Sequence, residues 1–383
     1  MRWTGNMSSA TGKRLAWLRS AAFLAASVAV LALSGFLAPS STGSQLAKVV
    51  SVDDSDLRTL GHVKYGTQAL EVEILEGPLS GKTFRAGNAV RGQMELDKVF
   101  KPGERILVSP PSGDEQQVLS AQDHWRVGPI LISFAVFAVL LVAFGGPVGM
   151  NALSSFIFCC AAIWKIVVPL ALAGWSAPWV AFAATGAMTA VIMLLVGGFS
   201  GKALGAFGGA IAGVAAGLGL AHLFGAAMDI NGATLPFVQT LVYSGYPSLD
   251  LADIFIAAAV IAGSGAMMDL SMDIAAGLDE VSRHNPSLGF VELLRSGLRI
   301  GRATVGTMTT TLLLAYSGGY LSLLRVFSAE GRSPVDFANS PIVAAEIAKT
   351  LVGSFAIVLV APFTALLSAM VFSRRRLNGK RQG

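Results

Sequence analysis

Apolar residues fall along this chain in long unbroken runs separated by short polar breaks, with one polar stretch of about 80 residues near the start. Runs of about 20 apolar residues are the length a helix needs to cross a hydrocarbon core roughly 30 Å thick. Eight stretches qualify, near 20–38, 128–146, 151–173, 178–198, 204–225, 251–273, 303–327 and 342–372. They predict an α-helical integral membrane protein of about eight transmembrane helices: a single anchor at 20–38 and a seven-helix membrane domain over 128–372. The first run can also be read as a cleaved signal segment, since Lys13, Arg14 and Arg19 precede it. Phe36, two residues before Ala38, stands where a cleavage site wants a small side chain, which favours a retained anchor.

Residues 45–122 have a different period. Leu70, Val72 and Ile74 alternate with Glu71 and Glu73, as in a half-buried strand. Shorter candidates lie at 46–52, 83–86, 94–96 and Arg105–Val108, punctuated by turn signals such as Gly77-Pro78 and Lys101-Pro102-Gly103. Five short strands in so few residues predict a small antiparallel barrel of OB or SH3 type. His62, His124 and scattered carboxylates form no catalytic constellation, so the expected role is stabilising or docking, with ligand binding as the other possibility.

Composition agrees with the runs. Of 383 residues 53% are hydrophobic and 13% charged, against about 25% charged in a soluble domain. The basic residues flank the apolar runs. Arg2, Lys13, Arg14 and Arg19 precede the first, Lys202 follows the fourth, and Arg283, Arg295, Arg299 and Arg302 follow the sixth. Arg374, Arg375, Arg376, Lys380 and Arg381 follow the last, whereas 226–250 contains no Lys or Arg. Basic loops stay on the cytoplasmic side. Both termini (1–19 and 373–383) are therefore expected in the cytoplasm and the barrel outside, in a bacterial cell membrane. A pI near 9.3 is then a topology signal and no sign of nucleic-acid binding. Cys159 and Cys160, adjacent in an apolar run, have no distant partner for a disulfide.

The sixth run carries the candidate chemistry. Asp253 and Asp269 have 15 residues between them, about 24 Å along a helix, which is less than the apolar thickness. Asp253 can reach the outer headgroups, which leaves Asp269 as the candidate for a position within the membrane, with Asp273 on the same helix face. An intramembrane carboxylate is costly and marks a partner, an aqueous pathway or a proton relay. Burial disfavours the charged form of any carboxyl, as reversible protonation requires. The opposing reading is a solvated helix end after a short span.

In the seventh run Thr307, Thr310 and Thr311 share a face, and Gly318 and Gly319 follow at mid-run. Such a glycine pair either breaks the helix and frees carbonyls for an ion or simply permits close packing. In the fifth run Gly201, Gly205, Gly209, Gly213 and Gly217 recur at every fourth residue, a ridge for tight helix packing against an internal helix or another protomer. Lys165 is expected to snorkel, Glu346 and Lys349 to form a helix-surface ion pair, His222 to be interfacial and Pro362 to kink the last span. Walker, GxSxG, HExxH and CxxC motifs are absent, so nothing points to an enzyme, a cofactor or a metal centre.

The stretch from Gly265 to Met272, then Ala275 to Glu280, then Gly306 to Gly319, resembles the YibE/F-like family of bacterial multi-spanning membrane proteins. Residues 70–84 and 102–108 resemble that family's extracytoplasmic domain. The family has no settled biochemical activity, and Asp273 departs from the small or hydroxylated residue expected there. A glycine-rich span with one Asp, then a cytoplasmic amphipathic segment and a Thr-rich span, is also similar in order to RND-type and SecDF-type proton-driven proteins. The expectation is a secondary transporter or transport accessory driven by a proton or small cation, with the lipid bilayer as its surroundings. The alternative is a non-transporting envelope assembly or scaffold protein whose barrel binds an envelope partner, with homo-oligomerisation open in either case.

Overall fold

The structure is a computed structural model that describes residues 23–25, 28, 44–94, 96–110, 117–198 and 200–380. The first expected span, 20–38, lies almost wholly outside these residues, as do the expected cytoplasmic tail before it and the last residues of the basic tail. Inter-residue contacts divide the chain into two compact units: one holds the barrel and the helix that follows it as far as Phe144, the other runs from Gly145 onward.

Six strands form the first unit: β1 (Gln45–Asp53), β2 (Arg58–Leu60), β3 (Val63–Ile74), β4 (Thr83–Arg91), β5 (Arg105–Val108) and β6 (Leu119–His124). The sheet order is β1-β5-β6-β4-β3-β2, and an additional β1–β3 pairing closes five of the strands into a barrel with β2 as a flap on β3. All pairings are antiparallel except β4 with β6. Of the two folds expected, this is the OB arrangement, a five-stranded Greek-key barrel. The alternation over β3 does what its period requires, since Leu70, Val72 and Ile74 are buried against Phe84, Phe100 and Ile106. Met94 and Leu96, from the strand expected at 94–96, lie instead in turns, near which Asp97 accepts the amides of Arg91 and Gln93. β6 was not anticipated, because Leu119-Ser-Ala-Gln-Asp-His lacks a run of β-branched or aromatic residues.

A buried polar network ties β3 to β4 and to the segment before β5. Gln68 donates to Asp54 at 2.6 Å and to the Phe100 carbonyl at 3.2 Å, while its Oε1 accepts from Asn88 at 2.8 Å and from the Phe100 amide at 3.0 Å. With both amide groups satisfied, these residues can be buried without an orphaned polar atom.

The helices are α1 (Val127–Leu172), α2 (Ala177–Gly197), α3 (Gly201–Ala227), α4 (Val238–Tyr243), α5 (Leu251–His284), α6 (Phe290–Gly319), α7 (Leu321–Ala329), α8 (Pro334–Asn339) and α9 (Pro341–Lys380). Among the described residues five, α1, α2, α3, α5 and α9, are long and apolar enough to cross a membrane, and the α6–α7 pair makes a sixth if it counts as one bent span. The second and third expected spans both fall within α1, a 46-residue run interrupted by non-helical backbone at Gly146 (φ 54°) just before Pro147, with a π turn at Ile163–Val167. A proline ring and a left-handed glycine interrupt a helix at that position. Pro362, by contrast, sits within continuous α9.

The core of the second unit forms where α3, α5, α6 and α9 meet, around Met267, Leu270, Ile274, Leu312, Val352 and Val360. The glycine stripe of α3 builds half of it. A Cβ added at Gly205 would lie 2.3 Å from Ser368 Oγ, at Gly209 2.0 Å from Thr364 Oγ1, at Gly213 1.9 Å from Val360 and at Gly217 3.3 Å from Ala356. Four-residue steps on α3 thus match four-residue steps on α9 in the opposite direction. Only hydrogen at these positions lets the two backbones approach so closely. The partner of this stripe is internal.

Candidate functional site

Asp250 starts α5 by accepting the amides of Ala252 and Asp253 at 2.9 and 3.1 Å, a cap that fixes where the helix begins. From there α5 buries Phe255, Ile256, Val260, Met267, Leu270, Ile274 and Leu278 in the core. The opposite positions, Ala262, Gly265, Asp269, Asp273, Ala276 and Glu280, make one outward stripe. Asp269 and Asp273 are therefore exposed on the bundle, one helical turn apart, with no hydrogen bond or ion pair among the described residues. Further along, Asp279 pairs with Arg283 at 2.6 Å, so the acidic residues toward the end of α5 are compensated while these two are not.

α6 runs back along α5. Ile300 packs over Gly277, whose Cβ would lie 2.9 Å from it; Gly297 faces Leu278, and Gly301 faces Ile274. One turn back from Gly277 along α5 and one turn on from Ile300 along α6, Asp273 is level with Thr304; a second turn brings Asp269 to within a residue of Thr307, and a third brings Gly265 to within a residue of Thr311. Thr307, Thr310 and Thr311 are all exposed. Each hydroxyl donates to a carbonyl of its own helix: Thr307 to Thr304 at 2.9 Å, Thr310 to Gly306 at 3.3 Å and Thr311 to Thr307 at 3.0 Å. With their one proton engaged, these oxygens present only lone pairs outward, a character suited to a cation and unsuited to an anion.

Gly318 and Gly319 do not join this group. α6 remains helical through both and ends at Tyr320, where α7 turns away at 66°. Gly318 stands eleven residues beyond Thr307, about 16 Å along the axis and far from Asp269. The helix breaks where the glycine pair suggested, but the break belongs to another place in the fold.

That place holds residues the sequence reading assigned to the surface. Glu346 and Lys349 of α9 do pair, yet their side chains are only 15% and 13% exposed. Tyr320, at the break, donates to Glu346 Oε1 at 2.7 Å, and the Lys349 ammonium lies 5.9 Å from the centre of the Tyr320 ring. Tyr316, one turn earlier, has a buried hydroxyl without a partner among the described residues. Tyr316, Tyr320 and Glu346 are among the residues around an open cleft of about 310 Å³ between α6, α7, α8 and α9. Two opposite charges three residues apart in an otherwise apolar helix were the available signal.

Among the described residues no group of three or more His, Cys, Asp or Glu side chains could hold a metal ion. Cys159 and Cys160 are both free thiols. No curated protein and no solved structure matches the chain. The model of the family described as YibE/F-like protein matches residues 133–374, from α1 to the end of the apolar part of α9. With well over half its length matched, and with helices long and apolar enough to cross a membrane, the chain belongs to the YibE/F-like family.

Proposed function

We propose that this protein moves a proton or small cation across the membrane, as a secondary transporter or transport accessory, with Asp269 as the group that takes up the ion. The observation that carries the reading is the pairing in level of two uncompensated carboxylates on α5 with a hydroxyl face on α6 whose protons are already engaged. Asp273 and the oxygens of Thr307, Thr310 and Thr311 are its neighbours, while Gly318 and Gly319 allow α6 and α7 to change angle. A carboxylate pair cannot face lipid in its charged form, so that face of the bundle borders an aqueous path or a second copy of the chain. The reading takes both termini as cytoplasmic and the barrel as extracytoplasmic, on the distribution of Lys and Arg.

Reconstituted in vesicles loaded with a pH-reporting dye, the chain should discharge or use an imposed proton or cation gradient. Asp269→Asn should abolish this without loss of folded protein; undiminished flux in that variant would remove Asp269 from the mechanism.

A second reading has its own observation. Leu60, Tyr65, Met94 and Leu96 are large apolar side chains exposed around the β2–β3 hairpin and the turn after β4, an arrangement that marks interaction surfaces. In that reading the chain is an envelope assembly protein whose barrel binds a partner and whose helices anchor it. The barrel fused to one span should then rescue the phenotype caused by loss of the chain. Failure of that fusion, with the barrel shown to be folded, would count against it.

A further inference from the structure

The part of α6 that precedes its apolar run carries three arginines that nothing in the fold answers. Arg295, Arg299 and Arg302 stand four and three residues apart, on one helix face over two turns, about 10 Å. All three are exposed. The opposite face is the packed one: Leu293 is buried, Gly297 meets Leu278 and Ala365, and Gly301 meets Ile274 and Ala361. The carboxylates at this end of the α5–α6 hairpin are engaged elsewhere. Glu292 accepts the Gly289 amide at 2.7 Å, Asp279 pairs with Arg283 at 2.6 Å, and Glu280 lies 3.2 Å from the His284 ring. Among the described residues the three arginines therefore have no ion pair. The planar fork of a guanidinium is matched to phosphate. The same face then continues into the apolar run, which starts directly after Arg302. Gly306 on this face is exposed and bare, and Leu313, two turns further, is 53% exposed. Leu313 is also an edge of the open cleft between α6, α7, α8 and α9, whose walls include Leu324, Phe337, Val343 and Ile347. From Arg302 to Leu313 is eleven residues, about 16 Å along the axis, close to half of a hydrocarbon core roughly 30 Å thick. Phosphate ligands at the border of the apolar layer, with an apolar cleft one leaflet deeper, repeat the order of parts in a phospholipid. A soluble anion would use only the first, and an acyl chain without a charged head would gain nothing over the surrounding lipid.

We infer that this face of α6 is a binding site for an anionic phospholipid, its phosphate-bearing head held by Arg295, Arg299 and Arg302 and the end of a chain lying in the cleft at Leu313. Basic side chains close to an anionic membrane surface each add to the attraction, and three on one face of one helix act on the same headgroups. The inference rests on α6 entering the membrane after Arg302. It is independent of ion movement by Asp269 and can be tested without any transport measurement.

The test takes the full-length protein from nanodiscs holding phosphatidylglycerol and phosphatidylcholine in equal parts, transfers it to detergent and identifies the retained lipid by native mass spectrometry. Phosphatidylglycerol should be retained in preference to phosphatidylcholine. Arg295→Gln, Arg299→Gln and Arg302→Gln should each lower that preference by about 5-fold, the value of one basic residue at an anionic surface, and the triple variant should remove it. Arg374→Gln, at the basic end of α9, should leave it unchanged. Ile347→Trp, which fills the cleft, should lower the retention of phosphatidylglycerol. Thermal unfolding confirms that each variant is folded; the single arginine variants stand in for the triple, and Ile347→Phe for Ile347→Trp, where either does not fold. Equal retention of the two lipids, a preference that survives loss of the arginines or falls as far in Arg374→Gln, or retention indifferent to the filled cleft would each overturn the assignment. Displacement of the lipid by inorganic phosphate would overturn it too, by making the arginines a site for a soluble anion.

Discussion

Two stripes of small residues run along neighbouring helices of the second unit, and they have opposite fates. On α3 the glycines at 205, 209, 213 and 217 meet Ser368, Thr364, Val360 and Ala356 of α9 so closely that a Cβ would collide at the first three. On α5, Ala262, Gly265 and Ala276 alternate with Asp269 and Asp273 on a face that is exposed among the described residues; a Cβ at Gly265 would have open space around it. The first stripe is small so that two helices can fuse into one core. The second is small and acidic where no core needs it, and smallness without packing, beside uncompensated charge, is the pattern expected of a working surface.

The comparison can be broken most forcefully at the packed stripe. Gly209→Leu with Gly213→Leu drives two branched side chains into Thr364 and Val360. Overpacking costs about 1–3 kcal/mol per site, and the pair should leave little folded, monodisperse protein by size-exclusion chromatography. Gly265→Leu should leave the elution profile and thermal midpoint unchanged; an equal loss there would mean that the α5 stripe is also packed.

The next effect contrasts a largely buried charge with an exposed one. Lys349→Met leaves the largely buried Glu346 uncompensated and should destabilise the protein by about 3–5 kcal/mol, seen as a lowered thermal midpoint. Lys349→Met combined with Glu346→Gln should recover much of that loss. Asp269→Asn, which removes a charge with no partner, should leave the midpoint where it was.

The smallest effect concerns a carboxylate in the barrel. Burial pushes the Asp123 carboxyl up, but the Arg126 guanidinium at 2.6 Å, the His124 amide at 2.8 Å and the nearby Lys98 together outweigh it and hold it below the usual carboxylate value. A depressed folded value means that the contribution is present above the unfolded value and is lost as pH falls. The paired Asp123 should therefore lend the barrel a slight stability above about pH 4 that fades below it. Replacing Asp123 with Asn should flatten the acid limb of the barrel's unfolding curve, read by circular dichroism; an unchanged limb would show that the pairing does not act on stability.

Much of this was legible before the structure. The period of Leu70, Val72 and Ile74 and the turn at Lys101-Pro102-Gly103 locate strands of the barrel, because alternation with half-burial leaves few other solutions. The every-fourth-residue glycines announce close packing, and their spacing is matched on α9 by Ala356, Val360, Thr364 and Ser368, residues too ordinary to be picked out alone. The spacing of Asp253 and Asp269 singled out α5. What periodicity could not reveal was tertiary: that Asp269 looks outward, that Gly318 lies about 16 Å beyond Thr307, the threonine level with it, and that Glu346 and Lys349 are largely buried. An i,i+3 pair looks the same in sequence whether it is exposed or largely buried. Only the return of α6 and α7 across α9 makes the difference.

The central claim is that Asp269 binds and releases a proton or small cation from an apolar setting. Hydrophobic carbodiimides react with protonated carboxyl groups in such settings, so labelling of the full-length protein in native-like membranes, located by peptide mass spectrometry, reads that property at the residue itself. The account predicts modification of Asp269 that declines as pH rises and is protected by the transported cation, with Glu280 and Asp279 unlabelled. An unlabelled Asp269, or labelling that neither pH nor any cation alters, would contradict it.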